Sequence, residues 1–162
     1  MLGQTLLDRQ RRTAQIFAPA IEQLLRSVEW RPRDVQLVAV TQGPGSFTGL
    51  RVGVTAAKTL AYAVGAEVFA VNTLEVIARQ VPDRVPRICS VLDAQRQQLF
   101  AADFQREGDH LAEVSGTRIV DVDQWLSGLA PGMAVAGPGL ARLQDRLLAR
   151  LPGEVAMVDA SC

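Results

Sequence analysis

The sequence predicts an α/β fold in two parts, and three observations carry that prediction. A short apolar run, Leu37–Val40, leads through a glycine-rich loop into a long helical pattern and then a second apolar run, Glu67–Val71. That order is the grammar of a parallel strand–helix–strand unit. After Pro82–Pro86 the grammar changes to successive runs with turn residues between them, as in an antiparallel meander. The composition is 48% apolar but only 5% aromatic, which suits tightly packed α/β layers.

The elements follow in order. From Arg12 to Ser27 the apolar residues Ile16, Phe17, Ala20, Ile21, Leu24 and Leu25 recur on one helical face. Thr13 is a candidate cap, and Pro19 either kinks this helix or begins its regular part. Arg31-Pro32-Arg33-Asp34 is a polar connector before the Leu37–Val40 strand. A helix runs from about Thr48 to Val64, with Gly65 as its C-cap. Thr73–Arg79 forms a further helical turn or two.

The segment Pro82–Pro86 is a seam, dividing an N-terminal lobe of residues 1–81 from a second lobe of residues 86–162. Ile88–Leu92, Leu99–Phe104 and Leu111–Val120 are the meander, with turns at Ala94-Gln95 and Glu107-Gly108-Asp109. Asp121 or Asp123 caps a short helix through Trp125 and Leu129. Ala134–Ala136 is a strand ending at Gly137-Pro138-Gly139, Leu140–Leu151 an amphipathic helix and Val155–Val158 a last strand.

Bulk properties narrow the function. Lys plus Arg equals Asp plus Glu at 17 each, with none of the basic excess of a chain that grips nucleic acid by itself. Any role with RNA is therefore expected to run through a partner. Cys89 and Cys162 lack metal-ligand spacing, and Cys89, within an apolar run, is expected to be a reduced core thiol. Without a signal peptide or a bilayer-length apolar run, the expectation is a soluble cytoplasmic protein.

The informative loop is Gly43-Pro44-Gly45-Ser46-Phe47-Thr48-Gly49-Leu50-Arg51, continuing to Val52-Gly53. Glycines between strand and helix often turn N–H groups toward an anion. A Walker A loop needs Gly-Lys-Ser/Thr, but Gly49 precedes Leu50-Arg51. A dinucleotide fingerprint fits the glycines better, but Pro44 stiffens the turn and the next strand ends at Val71-Asn72 without the ribose-binding acid. A nucleophile elbow needs Gly-x-Ser-x-Gly, and Gly49 comes one place too late. The only histidine, His110, falls in a predicted surface turn.

Behind the loop, Gly49, Gly53, Ala57, Ala61 and Gly65 recur every four residues, giving a flank poor in side chains. Glycine inside a helix costs roughly 1 kcal/mol against alanine, so something compensates at Gly53. On spacing alone, that is either the approach of a helix from another protein or packing against the chain's own sheet. Arg51 flanks the stripe, where it is either solvated or makes a bidentate contact to a carboxylate or phosphate.

The run Gly43–Gly53, with Ala56-Ala57-Lys58-Thr59-Leu60-Ala61-Tyr62, closely resembles the signature of the TsaB (YeaZ-like) family. Thr13–Ser27 with Pro19-Ala20-Ile21, Val71-Asn72-Thr73-Leu74-Glu75, Leu92-Asp93-Ala94-Gln95-Arg96 and Val135–Gly139 resemble further family segments, so the likeness covers nearly the whole chain. The resemblance implies an actin/Hsp70-like (ASKHA) fold of two related lobes. It implies a non-catalytic, dimerising subunit of the machinery that places threonylcarbamoyl on the tRNA adenosine beside the anticodon. Its partners would be the catalytic paralogue TsaD and the ATPase TsaE, with tRNA met only indirectly and a homodimer through the same face as the alternative.

No cofactor, metal or catalytic residue of its own is implied. TsaD-type catalysis uses a His-x-x-x-His metal pair, and a chain with one histidine cannot supply it. The interface is expected on the two helices, at Ile16, Ala20, Leu24, Gly49, Gly53, Ala57 and Ala61. Two departures stand out: Met1–Arg9 holds at most the end of the family's opening hairpin, and the chain stops at Asp159–Cys162 where the family continues. The expectation is a fold shortened at both ends, without the aspartate an ATPase would need. From the residues alone, a nucleotide-dependent ASKHA enzyme and a small NAD(P)-binding protein stay open.

Overall fold

The structure is a computed structural model that describes residues 1–7, 13–138, 140–150 and 157–158. They fall into two units, Met1–Gln42 with Ser46–Val71, and Gly43–Gly45 with Asn72–Cys162.

The first unit contains α1 (Thr13–Ser27), β1 (Leu37–Gly43) up to Gln42, α2 (Phe47–Val64) and β2 (Glu67–Asn72) up to Val71. The expected start of α1 at Arg12 lies outside the described residues. Arg31–Asp34, expected as a connector, closes into a turn of 3-10 helix at Pro32–Asp34, because the Asp34 carboxylate accepts from the Arg31 backbone and guanidinium. β1 and β2 form a two-stranded sheet, and the Glu67 N–H donates to the Gln36 carbonyl at 2.9 Å. The two strands thus start side by side and run parallel. Ser46 caps α2 by accepting from the Gly49 N–H, and Gly65 closes it in the left-handed conformation (φ 75°).

The middle of the small-residue stripe of α2, Gly53, Ala57 and Ala61, faces inward, which corrects the expected interface. A Cβ on Gly53 would lie 3.8 Å from Val40 Cγ2 of β1. Ala57 and Ala61, four and eight residues on, share that flank and are only 6% and 2% exposed. The missing side chains bring α2 onto the chain's own sheet, so Gly53, Ala57 and Ala61 cannot be an outward docking face. The flank of α1 carrying Ile16, Ala20 and Leu24 is half-buried, and a Cβ on Gly3 would stand 3.0 Å from Leu24 Cδ1.

The second unit contains α3 (Thr73–Arg79), β3 (Arg87–Gln95), β4 (Gln98–Glu107), β5 (His110–Asp121), α4 (Val122–Gly128), β6 (Ala134–Ala136), α5 (Gln144–Arg150) and β7 (Met157–Val158). Its sheet has the order β5-β4-β3-β6-β7. β3, β4 and β5 form the antiparallel meander, while β6 joins β3 and β7 joins β6 in parallel. Alternation along the strands builds two cores. Ile88, Ala102, Phe104, Ala134 and Ala136 meet Leu74, Ile77 and Ala78 of α3 on one face. Cys89, Val91, Leu99, Ala101 and Val135 meet Trp125 of α4 and Leu147 of α5 on the other.

Three expectations shift here. α3 is buried in the second unit, so the division falls at Val71/Asn72 rather than at Pro82–Pro86. Arg106, nearly enclosed, reinforces that placement: its guanidinium donates to the Ala78 and Val81 carbonyls and pairs with Asp83 at 2.9 Å. The hairpin expected at Ala94-Gln95 instead reverses at Arg96-Gln97, after a bulge in which Asp93 accepts from the Gln95 N–H. The expected final helix opens as a 3-10 turn, Leu140–Leu143, before α5. Gly139, Leu151, the start of the last strand at Val155 and Cys162 lie outside the described residues.

Candidate functional site

Within the first unit, α1 and α2 leave between them a groove of about 970 Å³. Phe17, Ile21 and Leu25 line it from α1, and Val52, Ala56 and Leu60 from α2, all half-buried. On each helix these residues recur every four positions, so they form one continuous flank. Ala18, Thr55, Thr59 and Ala63 keep side chains short along the remaining lining, while Trp30 and Pro32 stand at one end.

This flank lies one residue from the expected one on each helix. Phe17, Ile21 and Leu25 replace Ile16, Ala20 and Leu24; Val52, Ala56 and Leu60 replace Gly53, Ala57 and Ala61. One residue turns the helix by about 100°, which on α2 separates the sheet-facing side from the open side. Gly49 is exposed at the start of α2 and does not line the groove. The available signal for the open groove was the larger apolar set, Val52 and Leu60, spaced like the glycines but offset from them.

The groove is edged by charge. Arg26, Arg31, Arg51 and Glu22 belong to its lining. Arg26 pairs with Glu22 at 2.5 Å. Hydrogen bonds from Arg31 hold the Asp34 carboxyl below the usual carboxylate range, and the same contact raises Arg31. The Arg51 guanidinium stacks 4.0 Å from the centre of the Phe47 ring.

The loop that looked like an anion cradle is organised as a helix start. Gly43–Pro44 is a cis peptide. The Ser46 hydroxyl takes the Gly49 N–H at 3.3 Å and the Ser46 carbonyl takes the Leu50 N–H at 2.8 Å. The Gly49 N–H is among the donors a phosphate at this terminus would use, whereas the Leu50 bond is the first of the helix itself. Thr48 and Phe47 are exposed on the first turn, and Leu50 is half-buried.

In the second unit a smaller, polar cavity of about 590 Å³ opens beside the β3–β4 hairpin, lined in part by Asp93, Arg96, Arg142 and Arg146. Two of its arginines already meet carboxylates: Arg142 pairs with Asp93 at 2.5 Å, and Arg146 pairs with Asp123. His110 is exposed at the β4–β5 turn. Cys89 is buried as expected, and burial pushes its thiol up to about 12; the Trp125 indole N–H donates to its sulfur at 3.4 Å. Among the described residues no group of three or more His, Cys, Asp and Glu is placed to hold a metal. No helix among them is long and apolar enough to cross a membrane.

Comparison with known proteins fits this architecture. The fold matches YeaZ from Pseudomonas aeruginosa with a TM-score of 0.73 at 23% identity, over 94% of this chain and 70% of that one. This is an α/β protein of the actin/Hsp70-like class. The chain matches the family model "TsaD: tRNA N6-adenosine threonylcarbamoyltransferase" over residues 8–150; it belongs to that family, and within it is TsaB/YeaZ-like.

The TsaB protein of Bacillus subtilis, a tRNA threonylcarbamoyladenosine biosynthesis protein, is 35% identical over 111 residues, 68% of this chain and 48% of the relative. The TsaB protein of Escherichia coli is 28% identical over 99 residues, 60% of this chain and 43% of the relative. The chain thus spans just under half the length of each of these curated relatives.

Proposed function

We propose that the chain is a TsaB-type, non-catalytic subunit of the cytoplasmic machinery for tRNA threonylcarbamoyladenosine, and that it docks a TsaD-type catalytic paralogue through the α1/α2 groove. The observation that carries this reading is the groove itself. Two helices expose matched apolar flanks around a volume that suits the ridge of another helix. Half-buried Phe17, Ile21 and Leu60 would gain further burial from a partner, at about 25 cal/mol per Å² of apolar surface.

The names of the relatives supply the pathway, and the balanced charge supports indirect contact with tRNA. A single exposed histidine supports the non-catalytic role. A TsaE-type ATPase joins the assembly in this reading.

The test is calorimetric titration of the chain with the TsaD-type paralogue of its own organism. Micromolar or tighter binding is expected. The double substitution Ile21→Arg and Leu60→Arg should abolish it while the circular dichroism spectrum and melting curve stay near wild type, because both side chains face the open groove. No binding by the wild-type chain would reject the reading.

A further inference from the structure

We infer that Arg51, mounted on the Phe47 ring, is a receptor for a carboxylate on the docked partner, and that the basic edge of the groove selects a chain other than a second copy. The inference rests on the docking reading above and adds the partner's chemistry to it.

Arg51 is one helical turn beyond Phe47, and its guanidinium carbon lies 4.0 Å from the ring centroid. Phe47 is itself 69% exposed at the first position of α2. An aromatic ring left in water at a helix start gains nothing from burial, but it orients the guanidinium plane above it. A guanidinium held over a ring by cation–π attraction keeps N–H donors for a carboxylate, which it can meet in two parallel hydrogen bonds. No ion pair is recorded for Arg51 among the described residues, and the side chain lines the groove.

The rest of the edge has the same sign. Arg26 and Arg31 also line the groove, against Glu22 alone. The exposed Arg26–Glu22 pair holds Arg26 only weakly, while Asp34 holds Arg31 in a fork and offsets its charge. The lining is thus net positive, and it remains so when Asp34 is counted. A twofold pair would place this patch against itself. A partner whose apolar ridge is flanked by carboxylates associates faster and avoids that repulsion.

The experiment measures binding to the TsaD-type paralogue as a function of salt, with sedimentation of the chain alone alongside. Arg51→Glu is expected to weaken paralogue binding at least tenfold and to flatten its salt dependence. Arg51→Lys is expected to weaken it less, since a point charge replaces the fork. The same Arg51→Glu change should strengthen self-association, because it makes the patch partly self-complementary. A wild-type chain that binds the paralogue while Arg51→Glu binds equally well, with the same salt slope, would overturn this inference and leave the docking reading standing. A wild-type chain that does not bind the paralogue removes the docking reading, and this one with it.

Discussion

At Gly137 the backbone carries a constraint no side chain could meet. A Cβ there would fall 2.0 Å from the Val91 carbonyl oxygen, against main chain that cannot swing aside. Gly137→Ala should therefore destabilise the protein by about 3 kcal/mol or more, read by urea unfolding. The glycine turn after Ala136 was visible in the sequence; its contact, with a strand some 45 residues earlier in the chain, was not.

Cys89 shows the opposite case, where local context sufficed. An apolar run predicted a buried thiol, and the structure places it at 1% exposure under the Trp125 indole. Burial raises its pKa from 9.0 to about 12. The native thiol should resist disulfide reagents at pH 8 and react quickly once urea is added. The sign of the linkage follows: between pH 9 and 12 the unfolded thiol releases its proton while the folded one keeps it. This contribution to stability is complete below pH 9 and is lost as pH rises through that window. Cys89→Ala should flatten that part of the profile.

At the scale of the element, α2 has two useful flanks and the sequence identified the less accessible one. The glycine–alanine stripe was legible because helical spacing is local. Which side of the helix would meet the sheet was not, since Val40 touches Gly53 only in the folded unit. With 3.8 Å to Val40 Cγ2, a methyl group fits without displacement. Gly53→Ala should raise stability by about 0.5–1 kcal/mol through helix propensity and leave partner binding intact, measured by thermal melts and titration. Gly53→Leu, by contrast, should press on β1 and destabilise the unit rather than merely block a partner.

α3 teaches a related lesson. Its sequence fitted a helix following a parallel strand, so it was assigned to the first lobe. Leu74, Ile77 and Ala78 instead complete the core over β3 and β4, and buried Arg106 fixes the segment that leaves it. Prolines at 82 and 86 mark a connector, but apolar burial decides membership in a unit.

At the scale of the whole molecule the two units differ in how much core they own. The second has a five-stranded sheet covered on both faces. Among the described residues the first has two strands, with Leu37 54% and Phe69 59% exposed. Two strands give little independent stability. Hydrogen exchange should therefore find the amides of β1 and β2 much less protected than those of β3 and β4. Adding the TsaD-type paralogue should slow exchange in α1 and α2 first. Equal protection of the two sheets in the free chain would contradict this account.

The sequence by itself determined the α/β class, nearly every helix and strand, the cap at Gly65 and the family likeness, because periodicity, capping and a long motif are written in neighbouring residues. Tertiary structure decided which side of each helix turned outward, where the chain divides and how Arg51 is carried on Phe47. Those outcomes depend on competition between surfaces for the same burial. Residues far apart in the chain settle that competition only when they meet.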